Sequence, residues 1–210
     1  LSGGLAYGAS YFKVKSVAQR LHAGLSSLGS PRYYLLIEGP SLDDKDDRIL
    51  DLKAQFEASA FVNLSPSARA RTDAASGGDA AARVNLGAHA LGYRVDDHAG
   101  RLYALGLRFF VRERSPYKET FDTTQLTTLT RITKLAEQWG ALLATAHARS
   151  DRDFSAAILP YDFEAEVQAR IGPNTNLFKS RVRQVVKRQA DQTQADYQFF
   201  CDWLAAQPLP

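Results

Sequence analysis

The chain has 210 residues and a mass of 23.2 kDa, enough for one large domain or two small lobes around a real hydrophobic core. Hydrophobic residues at 45% and charged residues at 23% describe a globular chain, and a formal charge of +3 is too small an excess to imply nucleic acid. One cysteine, Cys201, excludes an intrachain disulfide and a cysteine-based zinc site and fits a cytoplasmic setting; no apolar run approaches the roughly 18 residues of a membrane span.

The chain opens at Leu1 and contains no methionine, so we expect a part of a longer protein. Residues 1–10 are small and glycine-rich and read as a loose tail. Residues 11–23 are ambiguous: Val14, Val17, Ala18 and Leu21 fit helical spacing, while Leu21-His22-Ala23 fits a strand. Next comes Gly24-Leu25-Ser26-Ser27-Leu28-Gly29, a Gly-x-Ser-x-x-Gly segment, followed by predicted strands over residues 32–38 and 49–53. Gly39-Pro40 and the acidic run from Asp43 to Asp47 connect these strands. Alternation puts Leu50 and Leu52 on a core face and Ile49, Asp51 and Lys53 on the other, where a ligand could be met.

A small-residue loop lets backbone N–H groups approach an anion, and a strand lysine adds a full positive charge. Gly24, Ser26, Ser27, Gly29 and Lys53 are therefore candidates for a phosphate cradle. The segment is not a Walker A loop, because Ser30-Pro31 follows Gly29 where Lys-Ser/Thr is required. The plainer alternative is a hairpin turn and a strand whose lysine reaches solvent.

Residues 65–82, rich in Ala, Ser, Arg and Gly, read as a mobile loop, and a helix is predicted from Ala80 to about Leu91. A hairpin is predicted next, with arms over 92–95 and 101–114, a turn at 96–100 and a bulge near Gly106. Ser115-Pro116 ends the sheet. From Thr123 the period becomes helical, with an apolar stripe through Leu126, Leu129, Ile132, Leu135, Leu142 and Leu143 towards His147. A further helix starts at an Asp162 cap and ends at Gly172-Pro173, and a last one runs over about 176–204. The pattern predicts an α+β protein with an antiparallel sheet and one helix in residues 1–116 and a helical lobe in 117–210.

Among other candidates, His147 and Arg149 either approach a ligand or act as cations at a helix C-terminus. Arg112 and Glu113 read as a surface pair, and Asp162-Phe163-Glu164 as a helix start. The basic run from Lys179 to Arg188 reads as a solvated face, with Tyr197, Phe199, Phe200 and Trp203 packing the last helix onto its lobe. No His/Cys/Asp group has metal-ligand spacing in the sequence.

Several blocks together carry a family resemblance. Val17-Ala18-Gln19-Arg20, Gly24–Gly29, Arg32–Gly39 and Leu50-Asp51-Leu52-Lys53-Ala54 come first. Arg83-Val84, Phe110-Val111-Arg112-Glu113, Leu143–Ser150 and Asp196-Tyr197 follow in order. Over nearly its whole length the chain resembles the later part of the bacterial domain of unknown function 2252 family. That family is similar to protein-kinase-like and aminoglycoside-phosphotransferase-like proteins, with its Gly-Asp-x-His-x-x-Asn and Asp-Phe-Asp segments preceding the lysine strand. The resemblance implies a two-lobed kinase-like fold, ATP and Mg²⁺ as cofactors, and Lys53 on the α/β-phosphates. It also implies His147 and Arg149 near the cleft. The catalytic base and Mg²⁺ ligands belong to an upstream segment, which becomes a partner of this part beside a nucleotide or small-molecule substrate. The chain departs from the family where Lys53-Ala54-Gln55 replaces Lys-Glu-Ala, and residues 83–91 hold no acid to pair with Lys53. Three functions follow as expectations: a phosphotransferase inactive without its upstream segment, a binding protein that has lost the chemistry, or an interaction module.

Overall fold

A computed structural model of the chain describes residues 7–8, 10–21, 29–117 and 119–207. Its centre is an antiparallel sheet of β1 (Val14–Gln19), β2 (Arg32–Ile37), β3 (Arg48–Ala54), β4 (Gly100–Ala104) and β5 (Leu107–Glu113). The spatial order is β1-β2-β3-β5-β4. The ambiguous stretch after Tyr11 is thus a strand, and its pairing with β2 sets Val17 opposite Leu35 and Ala18 opposite Tyr34.

The two-residue period sorts the sheet into two chemically distinct faces. On one face Leu35 stands opposite Leu50, Tyr33 opposite Leu52, Leu52 opposite Val111, and Ala54 opposite Phe109. Leu50, Leu52, Ala54, Val111 and Phe109 make the buried core with Ile37 and Tyr11, and the partly buried Tyr33 and Leu35 pack against it. Phe109 is 1% exposed and meets the Tyr33 ring edge-on at 5.8 Å. Burying one such side chain contributes about 1.5–3 kcal/mol, so this face dominates the stability of the sheet. Between β2 and β3, Gly39 turns with φ +76°, and a Cβ there would strike the Asp46 carbonyl, so only glycine fits.

Six helices are seen among the described residues: α1 (Pro66–Ser76), α2 (Ala80–Leu91), α3 (Leu129–Arg149), α4 (Arg152–Ser155), α5 (Phe163–Ile171) and α6 (Thr175–Ala205). α1 corrects the expectation of a loop over 65–82. Ser65 caps its first turn, Pro66 occupies the first helical position, and Gly77 closes it at φ +63°. Start and stop signals therefore outweigh the poor apolar content of this stretch. α2 has the predicted bounds and packs against β4 and β5. Its cap, Asp79, is 8% exposed and accepts from the backbone N–H groups of Ala81 at 2.8 Å and Ala82 at 3.1 Å. The other carboxylate oxygen accepts from Arg108 at 2.8 Å and Arg101 at 3.4 Å, tying the helix start to both strands. Burial by itself would raise the Asp79 pKa, but the Ala82 amide, Arg108 and the Ala81 amide together hold it below the usual carboxylate range.

The hairpin also differs from expectation. Residues 92–95 form no strand, and the predicted single arm 101–114 is itself the hairpin, β4 and β5. Leu105 at φ +53° and Gly106 at φ +72° make its two-residue turn, the geometry whose twist matches paired strands. What reads as a bulge around Gly106 is this reversal.

The chain divides into two compact units, Leu1–Tyr161 and Asp162–Pro210. The change from strand to helix near Ser115-Pro116 and the division into units are separate events, since α3 belongs to the first unit. The second unit consists of α5, capped by Asp162 and closed by Gly172 at φ +60°, and α6, capped by Asn174. None of its described residues is buried. Tyr197, Phe199, Phe200 and Trp203, expected to pack α6 onto its lobe, are all more than half exposed. No helix among the described residues is long and apolar enough to cross a membrane.

Candidate functional site

The face of the sheet opposite the core gathers positive charge. Asp51, paired in register with Tyr34 on β2 and Arg112 on β5, is 5% exposed at its centre. Its Oδ2 accepts from Arg32 Nη2 at 2.6 Å, with Arg20 Nη1 at 3.6 Å and Arg112 Nη2 at 3.9 Å. The sequence places Asp51 where a ligand could be met; the structure makes it the buried counter-ion of three guanidiniums. Arg20 and Arg114 lie over the Tyr34 ring at 5.2 and 5.7 Å, and Lys53, half-buried, stands opposite Arg32 on the same face. Arg20, Arg32 and Arg112 thus share one carboxylate, with Lys53 and Arg114 as further cations on the same face. Asp51 Oδ1 and Arg32 Nε are buried without a hydrogen-bond partner among the described residues, so the cluster is not internally satisfied.

Arg20 and Arg32 of this patch flank the connection between β1 and β2. The Arg20 N–H donates to the Arg32 carbonyl at 2.9 Å, keeping β1 and β2 paired up to the ends of their connection. Gly29, the last residue of the motif, turns at φ +76°, while Gly24, Ser26 and Ser27 lie outside the described residues.

The remaining sequence candidates are dispersed. Arg149 lies over the Tyr93 ring at 4.9 Å and donates to the Gly92 carbonyl at 3.5 Å, at the end of α2. His147 is in the last turn of α3, where its carbonyl accepts from the Ser150 N–H. Asp162 accepts from the Ala165 N–H at 2.8 Å as a helix cap. Arg112 and Glu113 do not pair with each other: they alternate to opposite faces of β5, Arg112 towards Asp51 and Glu113 towards Arg48 and His98.

A second cluster lies around His98. Its Nδ1 is 3.2 Å from Asp96 Oδ1 and 3.2 Å from Glu113 Oε2, and its Nε2 is 2.8 Å from the Tyr11 hydroxyl. The imidazole side chain is 7% exposed and stacks with Tyr7 and Tyr11 at centroid distances of 5.6 and 5.7 Å. The Glu113 N–H donates to Asp96 Oδ2, and Arg48 Nε lies 3.7 Å from Glu113 Oε1. Burial, Tyr11 and the carboxylates of Asp97, Asp96 and Glu113 raise the Tyr7 pKa above the ordinary phenol value. The cluster opens on a groove to which α2 contributes Ala82, Asn85 and His89. Sequence reasoning missed it because only Asp96-x-His98 is local; the third member arrives through the antiparallel return of β5.

No curated protein and no solved structure matches this chain. A family model described as an uncharacterized protein conserved in bacteria matches residues 6–203, and by that match the chain belongs to the bacterial DUF2252 family.

Proposed function

We propose that the Arg20–Arg32–Lys53–Arg112 face binds the phosphates of a nucleotide, with ATP and Mg²⁺ as the physiological ligands. On this reading the protein is the nucleotide-binding part of a kinase-like phosphotransferase. The observation that carries the proposal is the cationic surplus around Asp51, built partly from Arg20 and Arg32, which flank the Gly24–Gly29 segment in sequence. Guanidiniums match phosphate oxygens in bidentate geometry, and a neighbouring lysine adds a point charge. Glycine and serine residues in the connection would let backbone N–H groups join them.

Phosphoryl transfer relies on positioning and charge stabilisation, which this face would provide. The base and the Mg²⁺-holding carboxylates are those that the family resemblance assigns to the upstream segment. On the same reading His147 and Arg149 approach the substrate side when that segment is present. The alternative, a ligand-binding or interaction module without catalysis, uses the same patch and differs only in the outcome at the γ-phosphate.

The test is calorimetric titration of Mg²⁺–ATP into the wild type, Lys53→Ala and Arg112→Ala. A charge-assisted contact contributes about 1.5–3 kcal/mol, so each variant should lose roughly ten- to hundredfold in affinity. Equal affinity in all three would refute the phosphate site. Adding the upstream segment and following γ-phosphate transfer separates catalysis from binding alone.

A further inference from the structure

We propose that Asp96, His98 and Glu113 bind one divalent transition-metal ion, with Zn²⁺ the best match to the geometry. The inference is independent of the phosphate site and rests on how six polar atoms are arranged. Three of them, Asp96 Oδ1, Glu113 Oε2 and His98 Nδ1, converge within 4.8 Å of one another. Both nitrogen-to-oxygen separations are 3.2 Å. Ligand atoms held about 2.0–2.2 Å from a tetrahedral Zn²⁺ stand about 3.3–3.6 Å apart, close to the two nitrogen-to-oxygen separations.

The other three atoms face outward, each beside a group that orients its ligand. Tyr11 Oη is 2.8 Å from His98 Nε2, the Glu113 N–H donates to Asp96 Oδ2, and Arg48 Nε is 3.7 Å from Glu113 Oε1. With Nε2–H donating to Tyr11, the His98 Nδ1 lone pair is directed at the two carboxylates. This is the outer-shell pattern that fixes the tautomer of a metal-bound histidine. The tyrosine stack holds the 7%-exposed imidazole in place, while Asp96 and Glu113 keep 27% and 28% of their side-chain surface, which leaves a path for the ion from the groove.

An imidazole donor selects a first-row transition ion over Mg²⁺, which prefers an octahedral shell of oxygens. Three protein ligands leave a fourth position for water. In the competing arrangement no ion is held and the three side chains contact one another directly.

The chain is stripped with EDTA, dialysed and titrated with Zn²⁺ by calorimetry, and with Co²⁺ while visible d–d absorption is recorded. One equivalent of Zn²⁺ and the intense bands of a four-coordinate Co²⁺ site are expected in the wild type. His98→Ala should abolish both, Glu113→Gln and Asp96→Asn should each weaken Zn²⁺ at least tenfold, and Asp44→Asn should change nothing. Circular dichroism monitors folding; if His98→Ala unfolds, the partly exposed Glu113→Gln decides. Absence of uptake, or uptake that Glu113→Gln and Asp96→Asn leave unchanged, overturns the site.

Discussion

Replacing Asp51 by asparagine is the most direct probe of the sheet's cationic face. The substitution keeps volume and removes the charge shared by Arg32, Arg20 and Arg112. Arg32, 11% exposed, has no other acceptor for its guanidinium among the hydrogen bonds of the described residues. Breaking a buried ion pair from one side typically costs 3–5 kcal/mol. Arg20 and Arg112 are 27% and 53% exposed and can turn to water, so their share is discounted and about 3 kcal/mol is expected. For a unit of this size each kcal/mol lowers the melting temperature by about 2–4 °C, giving a loss of roughly 6–12 °C. The assay is thermal unfolding followed by circular dichroism, with and without pyrophosphate. If the patch holds phosphate, Asp51→Asn frees guanidiniums for the anion, and pyrophosphate should recover more stability in the variant than in the wild type. An unchanged melting temperature would refute Asp51 as the buried counter-ion. A loss that pyrophosphate does not recover would retain the ion pair and argue against the anion site.

The hairpin and the helix cap give two further tests. Leu105 is 78% exposed at φ +53°, so Leu105→Asn should raise stability by about 0.5–1 kcal/mol in urea unfolding, and a loss would contradict the turn assignment. Asp79→Ala removes two backbone hydrogen bonds and the Arg108 contact and should cost about 1–2 kcal/mol at pH 7. Because the folded pKa of Asp79 is depressed, its contribution is complete above the unfolded value of 3.8 and fades as pH falls through the folded pKa. Wild type and Asp79→Ala should therefore converge in stability below pH 3.8, and a difference that persists unchanged into acid would contradict the assigned electrostatics.

Local chemistry made much of the fold legible in the sequence. α2 and α5 begin and end where an aspartate cap and a glycine stop place them, because capping involves groups within one turn. β2 and β3 are legible from alternation, with Leu50 and Leu52 inward. α1 carried equally local signals in Ser65, Pro66 and Gly77, but its composition obscured them. The rest required the register of the sheet. The stretch after Tyr11 has no decisive period and became β1 because β2 offered it a partner. Leu105-Gly106 was a turn only once β4 and β5 paired across it. Asp51 gained its ion-pair partners Arg20, Arg32 and Arg112 from 31, 19 and 61 positions away in the chain. Glu113 reached His98 in the same way, because antiparallel pairing returns β5 past the residues that precede β4. Hydrogen bonds of capping act over a few residues, whereas pairing of charges across strands depends on which strand is the neighbour, and tertiary folding decides that.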